Sequence, residues 1–150
     1  MVVSNSTLVS PEEAQQLLHH GYTYVDVRSE PEFAMGHVPG ALNVPVQRVE
    51  GDRLVDNPEF VAVMSKLFRT TDPLVIGCRS GGRSRLALER LRQVGFSDLR
   101  ELAHGFLGAR DAFGRHVSGW VRAGLPVESG EGEGRSYPAV LERVRATEQG

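Results

Sequence analysis

The sequence holds a single cysteine, Cys78, among its 150 residues. That excludes an internal disulfide and any multi-cysteine zinc site. It holds one lysine, Lys66, which no glycine-rich phosphate loop precedes, so P-loop chemistry is excluded. Neither G-x-S-x-G nor H-E-x-x-H occurs, which removes the common esterase and zinc-protease signatures. No apolar run approaches the roughly 18 residues of a membrane span. The start, MVVSNSTLVS, shows no basic stretch leading into an apolar one, so no secretory signal is expected. An excess of either charge is also lacking. Seventeen basic and nineteen acidic residues leave a net charge near −2, unlike a basic nucleic-acid binder or an acidic solvating chain. Neither nucleic acid nor membrane is an expected partner, and a cytoplasmic location is predicted. What remains is ordinary for one globular domain: 40% hydrophobic and 24% charged residues, enough to bury one core.

Strands and helices alternate along the chain. Ser10-Pro11-Glu12-Glu13 reads as a capping box, with Ala14, Leu17 and Leu18 on one helical face and Gly21 as a stop. Tyr22 to Val27 reads as a strand. Ser29 to Glu32 is a second capping box, opening a short helix that stops near Gly36. Leu42 to Val44 reads as a short strand, 47–56 as a polar loop, and Asn57-Pro58 as the start of a helix carrying Phe60, Met64, Leu67 and Phe68. Leu74-Val75-Ile76 is branched and wholly apolar, as in a buried parallel strand. A helix then runs to about Val94, with Ala87, Leu88, Leu91 and Val94 inward. Leu99 to Leu102 reads as a strand, 105–116 as loop and short helix, Trp120 to Ala123 as a short helix. Residues 128–135 read as a flexible linker, with a short helix at Val140, Leu141 and Val144 beyond it. The alternation predicts an α/β fold with a mainly parallel sheet.

The segment with chemical content is LVIGCRSGGRSRLALERL, residues 74–91. A buried strand feeds a loop, and the loop feeds a helix. Ligands of open parallel sheets bind beyond the carboxyl ends of strands, where Cys78 stands. Gly81 and Gly82 let the loop turn its N–H groups toward one point, and such a nest binds anions. The helix beginning near Arg83 adds the positive end of its dipole. Arg79, Arg83, Arg85, Arg90 and Arg92 crowd this stretch against one acid, Glu89. Cations and helix N-termini favour the thiolate, the form that attacks sulfur. A lone cysteine closing a strand is elsewhere a small core residue; the basic, glycine-rich loop after it points instead to a reactive site that attracts small anions.

Cys78-Arg79-Ser80-Gly81-Gly82-Arg83-Ser84 resembles the active-site loop of the rhodanese (sulfurtransferase) family. Asp26-Val27-Arg28, Glu32-Phe33 and Gly36-His37-Val38-Pro39-Gly40-Ala41-Leu42-Asn43-Val44-Pro45 resemble its N-terminal signature, and Gly124-Leu125-Pro126-Val127 its usual end. The resemblance covers about residues 7–128, leaving 129–150 as linker and tail. It implies a rhodanese-like fold, a central five-stranded parallel sheet flanked by helices on both faces, with no cofactor or metal. It also implies a ping-pong reaction. The Cys78 thiolate takes sulfane sulfur from thiosulfate or a similar small anion as a persulfide. It then passes that sulfur to cyanide, a thiol or a protein acceptor. Arg79, Ser80, Gly81, Gly82, Arg83 and Ser84 would bind the substrate, and Asp26 and Arg28 would support the site. His37, set among Gly36, Pro39 and Gly40, reads as structural, and Trp120 as core. Relatives commonly run from a Gly-Gly turn directly to a Trp. Here His104-Gly105 stands at that turn and Trp120 follows fifteen residues later. The extra segment, with Arg110 and Arg115, is either part of the site's mouth or a solvated loop.

Two other activities fit parts of the pattern. A persulfide carrier served by a cysteine desulfurase uses the same Cys78 chemistry. A phosphatase or arsenate reductase of related fold has five residues between its cysteine and arginine. Here four separate Cys78 from Arg83, a smaller cradle suited to one sulfur atom. With no second cysteine, a persulfide on Cys78 can only be resolved by an external acceptor.

Overall fold

The computed structural model describes residues 7–79, 82–130, 132 and 134–149. Leu8–Val9 (β1) leads into helix Pro11–His19 (α1), capped as expected by a reciprocal Ser10–Glu13 box. Thr23–Asp26 (β2) follows, then helix Glu30–Met35 (α2) with the Ser29–Glu32 box, and Leu42–Asn43 (β3). Gln47–Glu50 (β4) and Arg53–Asp56 (β5) precede helix Phe60–Leu67 (α3). Leu74–Gly77 (β6), helix Gly82–Gln93 (α4) and Leu99–Leu102 (β7) carry the site. Ala109–Arg110 (β8), His116–Val117 (β9) and helix Tyr137–Gln149 (α5) complete the chain.

Five strands form one parallel sheet in the order β1-β7-β6-β2-β3. Side chains alternate across it because successive strand residues point to opposite faces. Val25, Leu74 and Ile76 pack on one face with Phe60, Met64, Ala87, Leu88, Leu91, Val140 and Val144, from α3, α4 and α5. Tyr24 and Val75 pack on the other with Ala14, Leu17, Phe33 and Trp120. Helices therefore cover both faces. Trp120 lies in this core, and its Nε1 donates to the Pro126 carbonyl at 2.7 Å.

Several elements differ from the sequence expectations. Residues 47–56 form an antiparallel hairpin, β4–β5, with most of its side chains in solvent. The 105–116 stretch holds no helix; β8 and β9 make a second hairpin. Trp120 to Ala123 forms turns. Val94 lies past the last residue of α4 and is 43% exposed. Within the expected linker of 128–135, Glu128, Gly130 and Arg135 are held by hydrogen bonds, and 131 and 133 lie outside the described residues. Arg135 pairs with Glu128 at 2.6 Å, its carbonyl accepts from Asn43 N–H at 2.9 Å, and Gly130 N–H donates to Ala34 O at 2.8 Å. The tail beyond it is a full helix seated on the core, with Val140 buried.

The second hairpin stands on a closed base. Trp120 N–H donates to Gly105 O at 3.1 Å and Val121 N–H to Phe106 O at 3.0 Å. A β-carbon on Gly119 would collide with the Gly105 carbonyl, so only glycine lets the two ends meet. His104, at the turn before Gly105, has φ 63°. The left-handed turn is kept at a steric cost of roughly 1–2 kcal/mol.

Candidate active site

Cys78 follows β6 directly, at the carboxyl end of a central strand and before the N-terminus of α4. It is 1% exposed. The strand reaches this point against Tyr24 of β2, since a β-carbon on Gly77 would overlap the Tyr24 hydroxyl. The backbone is fixed from a third side: Phe106 N–H donates to Cys78 O at 2.7 Å, and Leu107 N–H to Arg79 O at 3.0 Å. The root of the β8–β9 hairpin is thus the back wall of the Cys78 turn.

Beside this wall is a cleft of about 410 Å³ lined by Arg28, Glu32, Met35, Gly36, Arg79, Phe106 and Leu107. A second depression, bordered by Arg110 and His116, shares Arg79 and Leu107 with it. Arg110 lines this second depression and donates to Gly114 O at 2.9 Å within the hairpin. Arg115 instead pairs with Asp111 within the hairpin at 3.1 Å.

A strand-end turn, a lone cysteine under a helix N-terminus and an arginine-bordered cleft are what the loop motif requires. The rhodanese-like domain family matches residues 10–112. The chain belongs to the rhodanese family. It is 35% identical to thiosulfate sulfurtransferase 16 (chloroplastic) of Arabidopsis thaliana, over 81% of this chain and 92% of that one. It is 31% identical to the Arabidopsis protein HIGH ARSENIC CONTENT 1 (mitochondrial), over 75% of this chain but only 60% of that one. Among solved structures, Rv0390 of Mycobacterium tuberculosis superposes with a TM-score of 0.69 at 28% identity, covering 85% of this chain and all of that one. This is a rhodanese-type enzyme. Among the described residues, no helix is long and apolar enough to cross a membrane, and no cluster of three His, Cys, Asp or Glu could hold a metal.

Within this rhodanese the motif residues divide into three groups. Arg79 is exposed and borders both depressions. Gly82, Arg83 and Ser84 open α4, while Ser80 and Gly81 lie outside the described residues. Asp26 and Arg28 form a buried pair: Arg28 Nη2 is 2.7 Å from Asp26 Oδ2, and Nε and the backbone N–H reach the same carboxylate. Arg28 also donates to Gly36 O at 2.6 Å and lies over the Phe106 ring at 4.5 Å. Burial disfavours its charge, but Asp26 outweighs that and raises its pKa above the ordinary arginine value. The pair places Arg28 in the lining of the cleft. Asn43 pins the same turn, donating to Asp26 O and Arg28 O at 3.0 and 2.9 Å. His37 is enclosed, stacked on Phe33 and bonded through Nδ1 to the Phe33 carbonyl at 2.7 Å.

Arg83 makes a contact the motif does not announce. Its two terminal nitrogens hold both oxygens of Glu32, at 2.6 and 2.9 Å. An anion recognised by Arg83 must share that guanidinium with Glu32. Burial alone would raise the Glu32 carboxyl. Hydrogen bonds from Arg83 and Ser29, with the charge of Arg83, overcome burial and hold it at about 2, against 4.5 for an ordinary glutamate. The folded form thus binds fewer protons between those values, so the pair stabilises fully above about 4.5 and is lost as pH falls through about 2. Glu32→Gln is expected to be less stable than the parent by roughly 2 kcal/mol near neutrality. The gap should narrow below pH 4.5 and close near 2, as read by thermal melts across that range. A gap that persists unchanged at the acid end would show that the carboxylate is not the stabilising group.

A residue absent from the motif lies behind the cysteine. Glu101 of β7 accepts a hydrogen bond from Ser84 Oγ at 2.7 Å, and Ser84 Oγ is 3.5 Å from Cys78 Sγ. Its sequence signal is an acid two residues from Leu99, on the strand face that otherwise packs in the core.

Proposed function

We propose that this rhodanese is a sulfurtransferase whose Cys78 cycles between thiolate and persulfide. The observation that carries the reading is the placement of Cys78 at the end of β6, before the N-terminus of α4 and against the cleft wall of Phe106 and Arg79. The donor is a small sulfane-sulfur anion such as thiosulfate, drawn by Arg79 and by the loop N–H groups of residues 79–84. The thiolate attacks the outer sulfur. A Cys78 S–S bond forms, the donor's S–S bond breaks, and sulfite leaves with the electron pair. The helix N-terminus and loop N–H groups offset the charge on the persulfide. An external nucleophile (cyanide, a thiol or a protein thiol) then takes the outer sulfur and returns the thiolate. The chain works in the cytoplasm, where a free thiol persists.

The Arabidopsis relative named for arsenic keeps an oxyanion substrate in view. The four-residue spacing from Cys78 to Arg83, and the engagement of Arg83 by Glu32, favour a cradle for the single outer sulfur of a persulfide over one that surrounds phosphate or arsenate. Intact-mass spectrometry before and after thiosulfate, and then after cyanide, tests the reading. A gain of about 32 Da, lost on cyanide with thiocyanate formed, is the expected result. Turnover with cyanide or a small thiol identifies a small-molecule acceptor. Loading without turnover identifies a carrier that needs its partner. An alkylatable Cys78 that gains no sulfur from thiosulfate overturns thiosulfate as donor.

A further inference from the structure

We propose that Glu101 is the proton acceptor for Cys78, acting through Ser84. This rests on the reading of Cys78 as the nucleophile. Three side chains from three consecutive elements stand in line inside the protein. Cys78 Sγ donates to Ser84 Oγ at 3.5 Å, and Ser84 Oγ donates to Glu101 Oε2 at 2.7 Å. Their residues are 1%, 0% and 7% exposed. A serine hydroxyl has one proton. In the proposed relay Ser84 gives it to Glu101, and a lone pair of Ser84 Oγ is then turned toward the sulfur to take the cysteine proton.

That arrangement is a relay. The S–H bond breaks as its proton passes to Ser84 Oγ, and the Ser84 proton passes to Glu101 Oε2. The products are a thiolate, a neutral Glu101 carboxyl and a Ser84 hydroxyl that now donates to sulfur. One proton has moved and no net charge has been created. The negative charge has moved from an enclosed carboxylate to the sulfur beside the N-terminus of α4, where the helix dipole favours it. Of the neighbouring charges, Arg79 is exposed at the cleft and the others are engaged. From α4, Arg83 is held by Glu32, and Arg92 turns to the Thr7 hydroxyl at 3.5 Å. From β2, Asp26 is held by Arg28. Tyr24 faces the site with its pKa raised well above the ordinary value, burial being the main cause, so it stays neutral.

A purely structural Glu101 would anchor α4 to β7 and leave thiol reactivity alone. The pH profile of Cys78 alkylation by iodoacetamide separates the two. Glu101→Gln is expected to slow alkylation by roughly tenfold or more near pH 6–7 and to approach the parent rate at alkaline pH, where hydroxide removes the proton. Ser84→Ala, which cuts the relay in the middle, should give the same profile, and Glu101→Asp should restore part of the lost rate. A folded Glu101→Gln protein that alkylates as fast as the parent, or faster, near neutrality overturns the proposal. Should that variant fail to fold, Ser84→Ala decides by the same criterion. Alkylation needs no sulfur donor, so its outcome is independent of the thiosulfate mass test. A normal profile with no sulfur loading counts against the sulfurtransferase reading. An altered profile with intact loading chemistry supports the relay.

Discussion

Cys78→Ser is expected to abolish sulfur loading and leave the fold in place. The substitution changes one atom in a nearly closed site, so core volume is preserved. The new hydroxyl can still donate to Ser84 Oγ, so the buried polar atom is not orphaned. What disappears is the nucleophile, because a hydroxyl at neutral pH supplies almost no anion and is a poor partner for sulfur. No second cysteine can substitute for it. Thiocyanate formation should fall by roughly a thousandfold or more, and the mass should not change after thiosulfate. The melting temperature should stay within a few degrees of the parent. Residual turnover above background would remove Cys78 from the mechanism.

Ending the chain at Glu128 costs the domain its cooperative fold. The sequence division places everything past 128 outside the domain, yet Tyr137, Val140 and Val144 are buried in the same cluster as Phe60, Met64 and Leu91. Full burial of a side chain of this kind contributes about 1.5–3 kcal/mol. Three of them give roughly 5 kcal/mol, against a total stability of about 5–15 kcal/mol for an ordinary domain. The loss also strands Asn57, which bridges Pro45 O and the Tyr137 hydroxyl at 2.9 and 3.0 Å. A protein of residues 1–128 should melt without a sharp transition and bind a hydrophobic dye. A melt as sharp as that of the full chain, at the same temperature, would make α5 an accessory.

The elements that were legible in the sequence carry their own local chemistry. Both capping boxes, at Ser10 and Ser29, form as read because the reciprocal bonds involve neighbours in the chain. Leu74 to Ile76 was legible because a strand buried on both faces has no polar position. The β4–β5 hairpin was not. With most of its side chains in solvent, no period-two apolar pattern is selected. β8 and β9 are two residues each, too short to carry a pattern at all. Of the candidate site, the position of Cys78 at the end of a buried strand and before a helix was legible from a contiguous motif. The Arg83–Glu32 clamp and Glu101 were not, because each joins residues far apart in the chain through a side-chain contact that only the folded sheet creates.

The hairpin of residues 109–117 leaves and re-enters the domain at a single place, where Gly105 and Phe106 meet Trp120 and Val121. Everything between those two hydrogen bonds is topologically a pendant. Its length and side chains can change without altering the ladder beneath, since lengthening an already closed loop adds only fractions of a kcal/mol per doubling, roughly 0.6. Its root nevertheless bonds the backbone of Cys78 and Arg79. The scaffold therefore offers an exchangeable part beside a fixed Cys78 turn, and a different hairpin grafted there is expected to leave that turn in place.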